Sequence, residues 1–313
     1  MSMALTKPTI AICVATFRRP NGLARLLESL LSLEISDFQP HLIIADNDPE
    51  ATGQSIAEDF RNRLPFPVTY VVEPTRGISS VRNRLVKEAD ALGAEFIAYV
   101  DDDETVDPFW LTELLRVMQD TNASVVGGPV ISLFDGDVPM YLQKCFGHRV
   151  APTGKPVKRI GTGSVLFRSD MLTQISGPFN VNLNLSGGAD SLLSEEILQM
   201  GGTLLWSADA LAWEYVPASR LSIKWVLRRR FRGGAGESRI TKLVHPGRHN
   251  LVKNLYHGIG AMGLGTLRFV RALIVDRDMW LHWLGMVSFG MGEFLGVFTT
   301  RATLSEYRNI TGN

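Results

Sequence analysis

A short apolar strand that runs straight into four consecutive acids most constrains what this chain can become. Residues 95–100 (Glu95, Phe96, Ile97, Ala98, Tyr99, Val100) are mostly apolar or β-favouring and read as a buried strand. Asp101, Asp102, Asp103 and Glu104 follow without a break. Four carboxylates at one point repel one another, so something must offset their charge. A divalent cation takes oxygen ligands, and Mg²⁺ in particular is held by one or two carboxylates together with substrate phosphates. The end of a strand in an open α/β sheet is also where ligands bind. One reading is therefore a metal–diphosphate site with Asp101 and Asp103 as ligands. The other is a solvated acidic turn leading into a helix that starts at Asp107-Pro108.

Three earlier segments repeat the pattern of strand, polar end and helix. Thr9–Thr16 is an apolar run ending at Phe17-Arg18-Arg19-Pro20, after which Leu23, Leu26, Leu27, Leu30 and Leu31 recur at helical spacing. Residues 41–45 form a second strand, which ends in Asp46-Asn47-Asp48-Pro49 before a polar helix. Val68–Val72 is a third, followed by Glu73-Pro74-Thr75-Arg76-Gly77 and a helix over 79–92. This alternation predicts βαβ units and an α/β fold with a mostly parallel central sheet. The strand ends then share one sheet edge, which gathers Thr16, Arg18, Asp46, Arg76 and the four acids. A nucleotide suits that mix: a carboxylate to accept from a base N–H, arginines for phosphates, and a cation to bridge a diphosphate. No GxGxxG or GxxxxGK[ST] follows any strand, which counts against dinucleotide and P-loop folds.

The run Val14-Ala15-Thr16-Phe17-Arg18-Arg19-Pro20, the Asp46-Asn47-Asp48 turn, Arg82-Asn83 and the acidic cluster resemble family 2 glycosyltransferases of the GT-A fold. The likeness is nearest to bacterial exopolysaccharide enzymes of the succinoglycan glucosyltransferase type and covers roughly residues 8–235. It implies a Rossmann-like sheet with flanking helices, and a UDP-sugar donor used with Mg²⁺ or Mn²⁺. It further implies that Asp46 meets the uracil and that Thr16 and Arg18 line the nucleotide pocket, with Arg76 and Arg82 near it. Asp101 and Asp103 become the DxD motif at ribose and metal, with Asp102 counted beside Asp101 in donor binding. Arg82 is alternatively an ordinary exposed helix residue.

Residues 161–168, from Gly161 to Arg168, look like the family's glycine-containing strand beside the donor sugar, where small residues allow backbone to approach closely. The loop Ser186-Gly187-Gly188-Ala189-Asp190 then enters a helix over 191–200. Relatives carry Glu-Asp here, so Asp190 matches the catalytic base while Ala189 replaces the Glu. Glu195 and Glu196 on that helix are read as solvated. A His that relatives often carry is Trp213 here, which cannot ligate; Glu214 or water is left to complete a metal site. The implied reaction is an inverting transfer of a sugar, glucose by likeness, to a lipid-linked or polysaccharide acceptor. Two other readings stand beside it. A sugar nucleotidyltransferase would open with a glycine-rich loop, which is absent after Val14. A catalytically impaired binding protein is suggested by Ala189 and Trp213.

Net charge is zero across the 313 residues but unevenly spread. Residues 1–220 hold 18 Lys/Arg against 27 Asp/Glu, and residues 221–313 hold 14 against 5, balances of −9 and +9. This divides the chain into a GT-A domain over 1–220 and a basic, hydrophobic helical region over 221–313. An anionic membrane surface suits such a tail, as does charge pairing between the two parts; no nucleic-acid partner is expected. Ile223, Leu227 and Phe231 share one helical face beside a basic stripe of Lys224, Arg228 and Arg232, placed to meet a donor diphosphate or phospholipid headgroups, or else to stand as a solvated helix face. Residues 264–275 and 279–300 are apolar but interrupted by Arg268, Arg271, His282 and Glu293. They read as helices lying in a membrane interface, or else as a buried hairpin on the main domain. Cys13 and Cys145 form no CxxC pair, and the N-terminal residues lack a secretory pattern. A cytoplasmic protein attached peripherally to the inner face of the cytoplasmic membrane is expected.

Overall fold

The computed structural model describes residues 7–184 and 187–299. The N-terminal residues 1–6, Ser186 of the loop before Asp190, and Thr300 at the end of the last apolar run lie outside the described residues. In chain order the elements are β1 (Thr9–Thr16), α1 (Pro20–Leu30), β2 (Gln39–Asp46), α2 (Gln54–Arg61), β3 (Val68–Val72), α3 (Ile78–Ala91), β4 (Phe96–Tyr99) and β5 (Glu104–Val106). Then come α4 (Trp110–Thr121), β6 (Val125–Gly127), β7 (Val130–Phe134), α5 (Met140–Gln143), β8 (Val165–Arg168), α6 (Ser169–Thr173) and α7 (Ala189–Gln199). The chain continues through β9 (Leu204–Trp206), β10 (Ala212–Val216), α8 (Ile223–Val244), α9 (Arg248–Ala272) and α10 (Trp280–Gly296).

Seven strands form the main sheet in the order β3-β2-β1-β4-β8-β6-β9. Only β8 runs against its neighbours, so the sheet is mostly parallel, as the βαβ spacing requires. Both faces are covered. Ile10, Ile12 and Val14 of β1 join the core under α1 and α4, while Ala11 and Cys13 point into the core under α3 and α7. Alternate side chains of a strand face opposite ways, so a strand buried on both faces reads as one unbroken apolar run. Cys13 is a packed thiol whose burial raises its pKa well above the ordinary value. The order steps outward from β1 to β3 and then returns to β4 on the other side of β1. The crevice at the carboxyl ends of β1 and β4 is the switch point where such sheets bind ligands. A three-stranded sheet, β5-β10-β7, sits beyond it and carries the chain from the acidic cluster towards α8.

The C-terminal helices pack closely. A Cβ on Gly234 of α8 would strike the Phe289 carbonyl of α10, and one on Gly292 of α10 would strike the Phe231 carbonyl of α8. Only glycine admits such backbone approach. Among the described residues no helix is long and apolar enough to cross a membrane. Glu293, which interrupts the apolar run in the sequence, turns inward: it is 6% exposed, with Oε1 4.0 Å from His257 Nδ1. Burial first, and the nearby Glu237 second, push its carboxyl up to about 7.

A folded-state pKa above the unfolded value of 4.5 means the unfolded chain releases this proton first as pH rises. The Glu293 contribution to stability therefore declines between about pH 4.5 and 7 and levels off above that. Glu293→Gln removes the decline. The unfolding free energy of the variant should match that of the native chain near pH 4.5 and exceed it at pH 8 by about 1–3 kcal/mol, seen as a higher melting temperature. Parallel thermal melts across that range check the difference.

Candidate active site

The four strand ends meet as the sheet topology dictates. Asp46, at the end of β2, is fully buried, and its carboxylate accepts from Asp48 N (2.9 Å), Gly53 N (2.8 Å) and Tyr70 Oη (2.8 Å). It thereby fixes the turn after β2. Asp48 in that turn receives the Arg18 guanidinium in a fork of 3.1 and 3.2 Å. Burial opposes ionisation of Asp48, but Arg18 and the Glu50 N–H outweigh it and hold its pKa below the usual range. Arg18 adopts φ +54°, a left-handed conformation that a non-glycine residue keeps only where its surroundings hold it. Arg18 and Arg76 both lie over the Phe17 ring, 5.3 and 5.5 Å from its centroid, so two of the expected phosphate ligands share one wall. Asn47 ties this turn to the next loop, donating to Glu73 O and Thr75 O and accepting from Gly77 N.

The acidic cluster is not a solvated turn, because Asp102 and Glu104 are 5% and 3% exposed. Thr16 Oγ1 donates to Asp102 Oδ2 (2.8 Å), and Arg19 Nη1 bridges Asp102 Oδ1 (3.1 Å) and Asp103 Oδ2 (2.8 Å). Arg220 reaches Asp103 at 3.4 Å and also pairs with Glu214. Arg82 stands 3.5 Å from Asp101, is itself buried, and lies over Phe179; it is not an exposed helix residue. Glu104 folds back to accept from Asp101 N (2.9 Å), and burial raises its carboxyl well above the ordinary value. Burial likewise pushes Asp102 up to about 7. The cluster persists because three arginines and two reluctant acids limit its charge. Asp101 is left with the most open side chain, 43% exposed against 18% for Asp103.

Glycine-containing backbone lies against these acids. A Cβ on Gly163 would collide with Glu104 Oε1, and Gly161 faces Asp190 Oδ2. Asp190 occupies the first turn of α7 behind Gly187 and Gly188, both at positive φ. It is near enough to Asp101 for the two carboxylates to repel. Ala189 beside it is 2% exposed and packs into the core, so an acid at this position would be buried. Asp190 opens into a cleft of about 610 Å³ whose far wall is α8, with Arg229, Arg230 and Arg232 lining it. Arg228 is exposed and does not line the cleft. Trp225 stacks on Phe146 with ring centroids 5.7 Å apart, and Arg229 lies over the Trp225 ring, 5.1 Å from its centroid.

Several of these residues escape a reading of sequence. Arg19 is marked only by its neighbour Arg18. Arg220 and Asn47 act through folded neighbours, with no spacing to betray them. Arg229 and Arg230 stand in a visible basic run, but of the stripe Lys224, Arg228 and Arg232 only Arg232 lines the cleft.

Trp213 lies in β10 opposite Thr105 and offers no ligand atom. Glu214 next to it lines the cleft, its carboxyl raised by burial first and Asp103 second. Among the described residues no three His, Cys, Asp or Glu side chains converge as a ready-made metal site. Mg²⁺ bound with substrate phosphates needs only one or two carboxylates. An open Asp101 with Asp103 beside it fits that requirement.

Residues 11–176 match the model of glycosyl transferase family 2. The chain is 35% identical over 234 residues to the succinoglycan biosynthesis protein ExoM of Rhizobium meliloti (strain 1021), covering 74% of each. Its fold is similar to that of the mannosyltransferase PcManGT from Pyrobaculum calidifontis, solved with GDP-Man and Mn²⁺: TM-score 0.64, 14% identity, 93% of this chain and 88% of that one. Residues 1–349 of S. aureus TarS, solved with UDP, align over 91% of this chain and 89% of that one, with TM-score 0.52 and 15% identity. Mixed α/β architecture, a mostly parallel sheet with acids at its switch point and the match over more than half the chain agree: the protein belongs to glycosyltransferase family 2, with the GT-A fold.

Proposed function

We propose that the chain transfers a sugar, glucose, from a UDP-sugar to a lipid-linked or polysaccharide acceptor in exopolysaccharide synthesis, with inversion at the anomeric carbon. The observation that carries this reading is that one cleft joins Asp190 to the arginines of α8, with Asp101 close by at the switch point. ExoM, whose name places it in succinoglycan biosynthesis, supports the pathway class. TarS, solved with UDP, supports the nucleotide, while the GDP-Man in PcManGT shows that related folds take others.

Residues 1–220 hold the donor and the chemistry. Thr16, Arg18, Arg76, Arg82 and Asp102 surround the nucleotide, and buried Asp46 shapes the base pocket from below through the turn it fixes. Asp101 and Asp103 would hold a divalent cation, Mg²⁺ or Mn²⁺, whose charge offsets that of the leaving diphosphate. The acceptor hydroxyl attacks the anomeric carbon as its bond to the UDP oxygen breaks, and Asp190 takes the hydroxyl proton. Arg229, Arg230 and Arg232 face the anion that departs. Residues 221–313 attach the protein to the inner face of the cytoplasmic membrane, a reading supported by their +9 balance.

Three measurements test these assignments. Asp190→Asn keeps shape and removes basicity, so transfer should fall by roughly 10²–10⁴-fold while UDP binding holds; native-level turnover would refute the base, and an inactive native chain would favour the impaired-protein reading. Asp101→Ala should abolish the metal dependence of UDP binding by calorimetry, and an unchanged Mg²⁺ or Mn²⁺ response would remove Asp101 from the metal site. In a thermal-shift panel of nucleotide sugars, UDP-glucose should raise the melting temperature most. A larger shift with a GDP-sugar would change the donor.

A further inference from the structure

Helix α9 has its apolar side on the outside. Its buried positions are Asn254, Gly258, Gly265 and Ala272. Asn254 meets Ser238 and Thr241 of α8, while Gly258 and Gly265 lie against α10; Gly258 and Gly290 approach so closely that a Cβ on either would meet the other's carbonyl. At 100° per residue the opposite side presents Val252, Tyr256, Ile259, Leu267 and Val270, with Ile274 just past the helix end. They are 45%, 71%, 53%, 69%, 53% and 78% exposed. A helix packed on a water-soluble core normally shows the reverse pattern, apolar inward and polar outward. The stripe falls into two clusters, Val252, Tyr256 and Ile259, then Leu267, Val270 and Ile274, with Gly260 and Gly263 between them. Exposed apolar surface of this kind marks an interaction site.

The charges say what occupies it. Helix α9 carries Arg248, Lys253, Arg268 and Arg271 and no Asp or Glu. Lys253 and Arg271 border the same edge of the apolar stripe, two and a half heptads apart. A second copy of the chain docked on this face would bring like charges together with no acid on either α9 to offset them. An anionic bilayer surface satisfies both features, burying the stripe at headgroup depth and pairing the basic edge with lipid phosphates. We infer that α9 lies in the plane of an anionic membrane, stripe inward, and is the element through which the chain docks. This deepens the membrane part of the proposed function and rests on it; the donor-site chemistry is independent of it.

The test uses the full chain in co-sedimentation with vesicles of phosphatidylcholine, alone or mixed with phosphatidylglycerol. The native chain should bind the mixed vesicles. Leu267→Asp/Ile274→Asp should weaken that binding by at least about tenfold, because it places charge where acyl chains would be. Lys253→Gln/Arg271→Gln should weaken binding several-fold on mixed vesicles only and blunt its salt dependence. All four side chains are exposed, and an unchanged UDP thermal shift in both variants confirms an intact donor domain. A native chain that ignores mixed vesicles overturns both this inference and the membrane attachment, while leaving the transferase reading in place. Native binding that the Leu267→Asp/Ile274→Asp variant retains in full overturns α9 as the docking face but keeps the attachment. A shift in oligomeric state by light scattering, with vesicle binding unchanged, assigns the face to a second copy and overturns the inference.

Discussion

Charge neutralisation at residues 101–104 is the constraint on which the rest of the site depends. Arg19 comes from the loop after β1, Arg82 from α3 and Arg220 from the segment before α8, and all three converge on carboxylates that follow β4. Paired and buried charges of this kind cost much desolvation and tolerate little misplacement. Losing any one arginine leaves an uncompensated acid, so the cluster ties together three parts of the chain that lie far apart in sequence. Arg19 holds Asp102 and Asp103, which leaves Asp101 as the carboxylate with room for a ligand.

Much of the fold of residues 1–220 was legible in sequence because its signals are local. The strands at Thr9–Thr16 and Val68–Val72 have the bounds their apolar runs predict, and the parallel order follows from helices long enough to cross between them. What stayed hidden was relational. Strand direction leaves no trace in periodicity, so the reversal of β8 could not be read, and β5, β6 and β9 are three-residue strands too short for any pattern. Glycines 161 and 163 were visible as permissive backbone, but that Gly163 makes room for Glu104 depends on the fold.

The departures from the family pattern take on different weights in three dimensions. Ala189 sits in the apolar core beneath Asp190, so a small residue there is consistent with its packing. Trp213 belongs to a strand of the small sheet, and its neighbour Glu214 is the residue that reaches the cleft. Glu293 looked like a charge breaking an apolar helix and is instead an acid held between α10 and its neighbours. In each case the identity of the residue was plain and its direction was not.

The glycine contacts that hold α10 against both α8 and α9 have a mechanical consequence. Side chains between helices act as a deformable layer, since they can change rotamer to absorb a small displacement. Here backbone meets backbone at Gly234, Gly292, Gly258 and Gly290, and that layer is missing. A push or tilt applied to α9 is transmitted through α10 with little slack, and α8 forms one wall of the cleft that holds Asp190. The outermost of the three helices lies at the protein surface, and the innermost bears the arginines that line the cleft with Asp190.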